Sequence, residues 1–142
     1  MKEKLFVDTW GWVVLHNKRE PRHAEVARFY RKWRLRNGPI YTSDFILDET
    51  FTLLFRRLAP DLSKHILVSL GEAIRQGYLK LEWISPERFS KARELRLQFI
   101  DKPMISFTDL TSMVAMKELG IKSVLTDDDH FVHVGMGFQK AP

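Results

Sequence analysis

Residues 106–131 read SFTDLTSMVAMKELGIKSVLTDDDHF. Thr108 can cap a helix running through Leu119, and Gly120 stands where a helix commonly ends in a left-handed residue. Residues 121–126 follow as a short apolar strand, and three aspartates, Asp127, Asp128 and Asp129, come directly after it. A capped helix, a glycine stop and a buried strand form the repeating unit of an α/β fold with a parallel sheet.

The rest of the chain repeats that alternation. Residues 4–7 (KLFV) read as a buried strand that stops at Asp8, and a short apolar turn covers Trp10 to Leu15. Ala24, Ala27, Tyr30 and Trp33 recur about three apart, which predicts a helix over 22–36, stopped by Asn37-Gly38-Pro39. A strand over 40–42 leads to a helix capped by Ser43 or Asp44 and running to Leu58. Ala59-Pro60 ends it, and Asp61 or Ser63 starts another, with Leu62, Ile66, Leu70, Ala73 and Ile74 facing inward and Gly77 at its end. Residues 78–83 alternate as a strand through Leu79, Leu81 and Trp83. Ser85-Pro86 is a cap followed by a first-turn proline, and that helix turns Phe89, Ala92, Leu95 and Phe99 inward. Residues 137–140 supply a last strand. Strands and helices alternating in this way predict a parallel sheet buried on both faces.

Four acidic positions fall at element boundaries: Asp8 after the first strand, Glu49 one turn into the helix after the second, Asp109 in the first turn of its helix, and the run 127–129 after the next strand. Ligands of open α/β sheets bind outside the carboxyl ends of the strands, so these positions can share one cleft. Carboxylates crowded together repel, and one of them takes up a proton unless a cation intervenes. Oxygen ligands suit Mg²⁺ or Mn²⁺, and such an ion can activate water and polarise a phosphoryl oxygen. Hydrolysis of a phosphodiester is the expected chemistry.

Composition narrows the alternatives. A chain of 142 residues predicts one domain over 1–142, with 44% apolar and 29% charged residues placing it among ordinary globular proteins. Cysteine is absent, which removes disulfides, thiolate metal sites and a Cys nucleophile, and fits a cytoplasmic location. The first residues, MKEKLFVDTWGWVVL, hold only a short apolar stretch broken by Asp8, unlike a signal peptide, and no stretch is long enough to span a membrane. The net charge of +5 suits a polyanionic partner.

The order FVDT, SDFILDET, SFTDLTSMVAMKELGI and VLTDDDHF resembles PIN domains, most closely the single-domain VapC-type ribonuclease toxins of type II toxin–antitoxin modules. The resemblance runs from Lys4 to about Phe138. It implies a three-layer α/β/α sandwich around a mostly parallel sheet. It also implies a Mg²⁺- or Mn²⁺-dependent endoribonuclease acting on RNA, often a structured tRNA or rRNA, held in check by a small antitoxin and forming a homodimer. Asp8, Glu49 and Asp109 match the family's first three acids. The fourth belongs to a T-x-D-x-x-F motif; with Thr126 and Phe131 as anchors it is Asp128, although Asp127 and Asp129 are close enough to substitute. The implied roles are metal ligation by Asp8 and Asp109, support of a metal or its water by Asp128, and a second metal or the attacking water at Glu49. Thr9 and Thr108 match hydroxyl residues beside the first and third acids.

Eight Lys/Arg lie between residues 18 and 36, with Arg56 and Arg57 further on, and a basic surface flanking the acids would hold RNA phosphates. Phe29, Tyr30, Trp33, Trp10 and Trp12 read as packing groups and Met113 and Met116 as core. His130 reads as structural, and His16, His23, His65 and His133 lack zinc spacing. The rival function is a non-catalytic PIN-like module that binds RNA or protein, against which the intact acidic set argues. A haloacid-dehalogenase-type phosphatase wants a second Asp where Trp10 stands, and Lys140 lies too near the end to serve as a receiver-domain lysine.

Overall fold

Successive side chains of a strand point to opposite faces, yet Leu5, Phe6 and Val7 of β1 (Leu5–Val7) and all four residues of β2 (Ile40–Ser43) are buried. Both faces of the sheet are therefore covered. The structure is a computed structural model that describes residues 2–142. β3 (Lys80–Glu82), β4 (Ser123–Leu125) and β5 (Gln139–Lys140) complete five strands in the order β3-β2-β1-β4-β5, and all four pairings are parallel. Among the described residues seven helices accompany them, giving the expected α/β class.

The strand order reverses at β1 and β4, whose register pairs Leu5 with Ser123 and Val7 with Leu125. This switch point is where doubly wound folds place their ligands. Trp12, fully buried, donates its indole N–H to Thr42 Oγ1 at 3.1 Å, and Thr42 donates to the carbonyl of Val7 at 3.0 Å. The Trp12 indole and the Thr42 hydroxyl are thus satisfied beneath the site.

The structure corrects several local readings. Residues 10–15 are not a turn but most of a helix, α1 (Thr9–His16). It is held by burial of Trp12, Val13 and Val14 rather than by propensity. Gly11 is required there, because a Cβ on it would stand 2.7 Å from the carbonyl oxygen of Leu125. α2 (His23–Leu35) stops near Asn37-Gly38-Pro39 as expected. Ser43, not Asp44, caps α3 (Asp44–Arg57), accepting from the N–H of Ile46, while Asp44 accepts from the N–H of Ile84. Pro60 opens α4 (Pro60–Arg75) at its first turn, so neither Asp61 nor Ser63 caps it, and Ser63 instead donates to the carbonyl of Leu54 across the α3–α4 joint. Leu62, Trp83 and Phe89 are exposed rather than inward. α5 (Pro86–Gln98) is capped by Ser85 as its Ser-Pro start suggests. α6 (Phe107–Leu119) is capped by Ser106, not Thr108, and ends at Gly120 in the left-handed region, φ 68°. α7 (His130–His133) is a single turn after the acidic run.

Candidate active site

Asp8 follows β1 and its backbone N–H donates to the carbonyl of Leu125 at 3.2 Å. That bond continues the β1–β4 ladder by one residue and sets Asp8 beside Thr126. Thr126 Oγ1 donates to Asp8 Oδ2 at 2.7 Å and accepts the N–H of Asp128 at 3.1 Å. One hydroxyl therefore ties the first acid to the acidic turn. Phe131, fully buried with its ring edge-on to Phe138, anchors the other end of that turn.

The three consecutive aspartates point in different directions. Asp127 is exposed and pairs with Arg22 at 3.0 Å; Asp129 is exposed and pairs with Lys140 at 2.6 Å. Asp128 is half-buried, accepts the N–H of His130 at 2.8 Å and faces Asp109. Local turn geometry separates them: an Asx-type bond to the backbone two residues on holds Asp128 inward.

Asp109 occupies the third position of α6 and closes a capping box. Ser106 Oγ accepts the N–H of Asp109 at 3.0 Å, and Asp109 Oδ2 accepts the N–H of Ser106 at 3.3 Å. Glu49 lies on α3, which packs on α1, and Thr9 Oγ1 donates to Glu49 Oε1 at 2.8 Å. Thr9 thus positions a carboxylate, as its place beside the first acid suggests. Thr108 does not reach one; its carbonyl accepts from Thr111.

Burial dominates the electrostatics. Asp8 is 7% exposed and its carboxyl is pushed up to about 6 by desolvation, with the charges of Asp128 and Glu49 adding to the rise against the bond from Thr126. Asp109, 8% exposed, is pushed up to about 7 by burial and then by the negative charges of Asp8 and Asp128. Asp8, Asp109 and Asp128 therefore share one charged neighbourhood and Glu49 borders it at Asp8, although Asp8 and Glu49 are outside the group whose ligand atoms come within 4.8 Å of one another.

His130 belongs to the same cluster. Among the described residues, ligand atoms of Asp109, Asp128 and His130 lie within 4.8 Å of one another. Its Nδ1 is 2.9 Å from Asp128 Oδ1 and 3.8 Å from Asp109 Oδ2, but it is not aligned for a hydrogen bond and is buried without a partner. The sequence reads His130 as structural; the structure sets its ring beside two of the acids, for which the one sequence signal is proximity to the acidic run.

The basic run is placed differently from its expectation. Arg22 touches the site's edge, lying over the Trp10 ring at 5.1 Å and pairing with Glu25 and Asp127. α2 then runs away from it. Arg31 and Arg34 line a cavity of about 840 Å³ with Ile40 and Lys80, which begin strands β2 and β3 at the opposite edge of the sheet.

Comparison with known proteins agrees with this geometry. Residues 5–136 match the family model of the PIN domain. The chain is 30% identical over 132 residues to the 23S rRNA-specific endonuclease VapC20 of Mycobacterium tuberculosis, covering 92% of this chain and 94% of that protein. It resembles the crystal structure of Mycobacterium tuberculosis VapC20, described as a Sarcin-Ricin loop cleaving toxin, with a TM-score of 0.76 at 28% identity, over 92% of this chain and 95% of the other. The fold is also shared with VapBC2 from Rickettsia felis bound to a promoter DNA fragment, TM-score 0.69 at 17% identity over 97% of each chain. With its five parallel strands and its acids at the switch point, the chain belongs to the PIN-domain family.

Proposed function

We propose that the protein is a divalent-metal-dependent endoribonuclease, the toxin of a type II toxin–antitoxin module, acting on a structured RNA of the ribosomal kind. The observation that carries this reading is the gathering of buried Asp8 and Asp109 with Asp128, joined through Thr126 and with ligand atoms of Asp109, Asp128 and His130 within 4.8 Å of one another. Such a cluster is unfavourable at neutral pH by itself and favourable around a cation. The buried, unpartnered Nδ1 of His130 beside two of the acids fits the same demand.

Asp8, Asp109 and Asp128 would hold the ion, Mg²⁺ or Mn²⁺, as oxygen ligands. When bound, it supplies Lewis acidity to the scissile phosphate and to the attacking water. Thr126 keeps Asp8 and the Asp128 turn in fixed relation. Glu49 has Oε1 engaged by Thr9, which leaves Oε2 to accept the proton of the attacking water as general base. Asp127 and Asp129 take no part, since each is neutralised by a surface cation.

The same reading has the chain work as one unit over residues 1–142, as a homodimer in the cytoplasm, restrained by a small antitoxin. Its support is one core that runs from Leu5 to Phe138 and the similarity to VapC20 over 92% of this chain. No helix among the described residues is long and apolar enough to cross a membrane.

The test is incubation of the purified protein with total RNA in Mg²⁺, Mn²⁺ or EDTA, with the new ends mapped. Cleavage is expected with the metals and not with EDTA, and Asp8→Asn and Asp109→Asn are each expected to abolish it. Retained cleavage in either variant would sink the assignment. RNA binding unaffected by chelator, with no cutting in Mn²⁺, would favour a non-catalytic module.

A further inference from the structure

A groove of about 420 Å³ runs between residues 101–105 and α7. It has two chemical faces. Pro103 and Met104 form an apolar wall, with Met104 81% exposed. Lys102, His130 and His133 supply the nitrogen-bearing side chains of the lining, and Asp101 adds one carboxylate beside Lys102. His130 belongs to the acidic cluster as well, so the groove and the cluster share one residue.

An exposed methionine on a loop is unremarkable by itself. This loop, however, has a fixed shape. The guanidinium of Arg96 donates to the carbonyl oxygens of Phe99 and Lys102, each at 2.7 Å, and of Ile105 at 2.5 Å. The N–H of Ile105 returns to the carbonyl of Lys102 at 3.2 Å, and the Ile105 side chain is buried beneath. Three charge-assisted bonds from one arginine hold the turn that presents Lys102 and Met104. A wall set before binding costs little entropy to use. The side chain of Lys102 is constrained by Asp101 only at 3.7 Å, and both side chains are well exposed, so its charge is available.

Resting on the ribonuclease reading above, we propose that this groove is a substrate subsite for the nucleotide flanking the scissile phosphate. The base packs on Pro103 and Met104, and the neighbouring phosphate meets Lys102. An apolar plate beside a cation is what a nucleotide unit requires, because each base offers a flat face and each phosphate one negative charge. Arg96 acts only through the loop, whose shape it maintains.

The probe is a pool of short RNAs of randomised sequence, incubated in Mn²⁺ with wild type, with the double variant Lys102→Ala/Met104→Ala, and with Ile100→Ala. Ile100 is 74% exposed on the same loop segment but outside the groove. The double variant is expected to raise KM about tenfold, with a smaller change in kcat, and to flatten the nucleotide preference at one position beside the cut. Ile100→Ala is expected to do neither. A double variant with wild-type KM and wild-type flanking preference overturns the subsite. If wild type cuts no RNA at all, the ribonuclease reading fails instead. Anisotropy with the uncut pool then judges the groove: equal binding by wild type and the double variant removes it as well.

Discussion

The carboxylate of Asp109 has two loyalties: it closes the cap of α6 and it stands buried among other acids. Its folded value near 7 lies above the ordinary carboxylate value, so the neutral form is favoured by the fold. The linked stability is fully present below about pH 4 and is lost as pH rises through about 7. Asn at this position keeps an acceptor for Ser106 and cannot ionise. In EDTA, Asp109→Asn is therefore expected to be more stable than wild type at pH 8, on the order of 2 kcal/mol, with the difference vanishing near pH 4. Urea titrations at the two pH values measure it; equal stability at pH 8 would contradict the electrostatic account. Thr126→Val removes the donor to Asp8 and the acceptor for Asp128 while keeping the shape. It should cost about 1–2 kcal/mol in urea and lower RNA cleavage at least tenfold. Asp8 and Asp109 were legible because a boundary acid is conspicuous after an apolar strand or at a helix start. His130 was not, because a ring nitrogen's neighbours depend on how the turn at Asp128 is wound. The choice among three adjacent aspartates needed the same turn; the family likeness pointed to Asp128, and the turn places that residue, not its neighbours, near Asp109.

Among the elements, α1 shows where local pattern gives way to packing. Trp10, Gly11, Trp12, Val13 and Val14 carry weak helix preference, and the segment is only eight residues long. Its helix exists because Trp12, Val13 and Val14 are buried, in a segment that packs on α2 and α3. Gly11 lets that helix approach β1 and β4 closely, with Val7 Cγ1 and Leu125 Cγ each 2.9 Å from where a Cβ would stand. Gly11→Ala is expected to cost about 1–3 kcal/mol by overpacking, seen as a lower Tm. Cleavage should fall more than stability alone accounts for, since α1 carries Thr9 and so the orientation of Glu49. Wild-type Tm in this variant would show that the contact relaxes freely. The cap of α6 teaches a related lesson. Ser106 and Thr108 are both competent hydroxyls, but only Ser106 has an acid three residues later to return its bond. Reading the box rather than the hydroxyl alone distinguishes them.

Across the whole molecule, the buried acids and part of the basic helix lie at opposite edges of the sheet, while Arg22 and Lys140 stay beside the acidic run. The acids gather at the carboxyl ends of β1 and β4, while Arg31, Arg34 and Lys80 gather at the other edge of the sheet. Sequence alone put the basic helix beside the acids because linear distance hides the direction in which α2 runs. Metal added to the folded protein should stabilise it by mass action, since the unfolded chain has no assembled cluster. Wild type is expected to gain several degrees of Tm in millimolar Mn²⁺ at pH 8, and Asp8→Asn/Asp109→Asn to gain none; an equal gain in both would place the ion elsewhere. The sheet itself is short in strands but long in reach. The bond from Thr126 to Asp8 joins residues 118 apart, through the central β1–β4 pair. That separation sets a timetable for synthesis. A nascent chain exposes Asp8 almost at once, yet it can build no cluster until the segment bearing Thr126 and Asp128 has also emerged. Every truncated or still-growing copy that stops short of that segment lacks the bond from Thr126 to Asp8 and with it the assembled cluster.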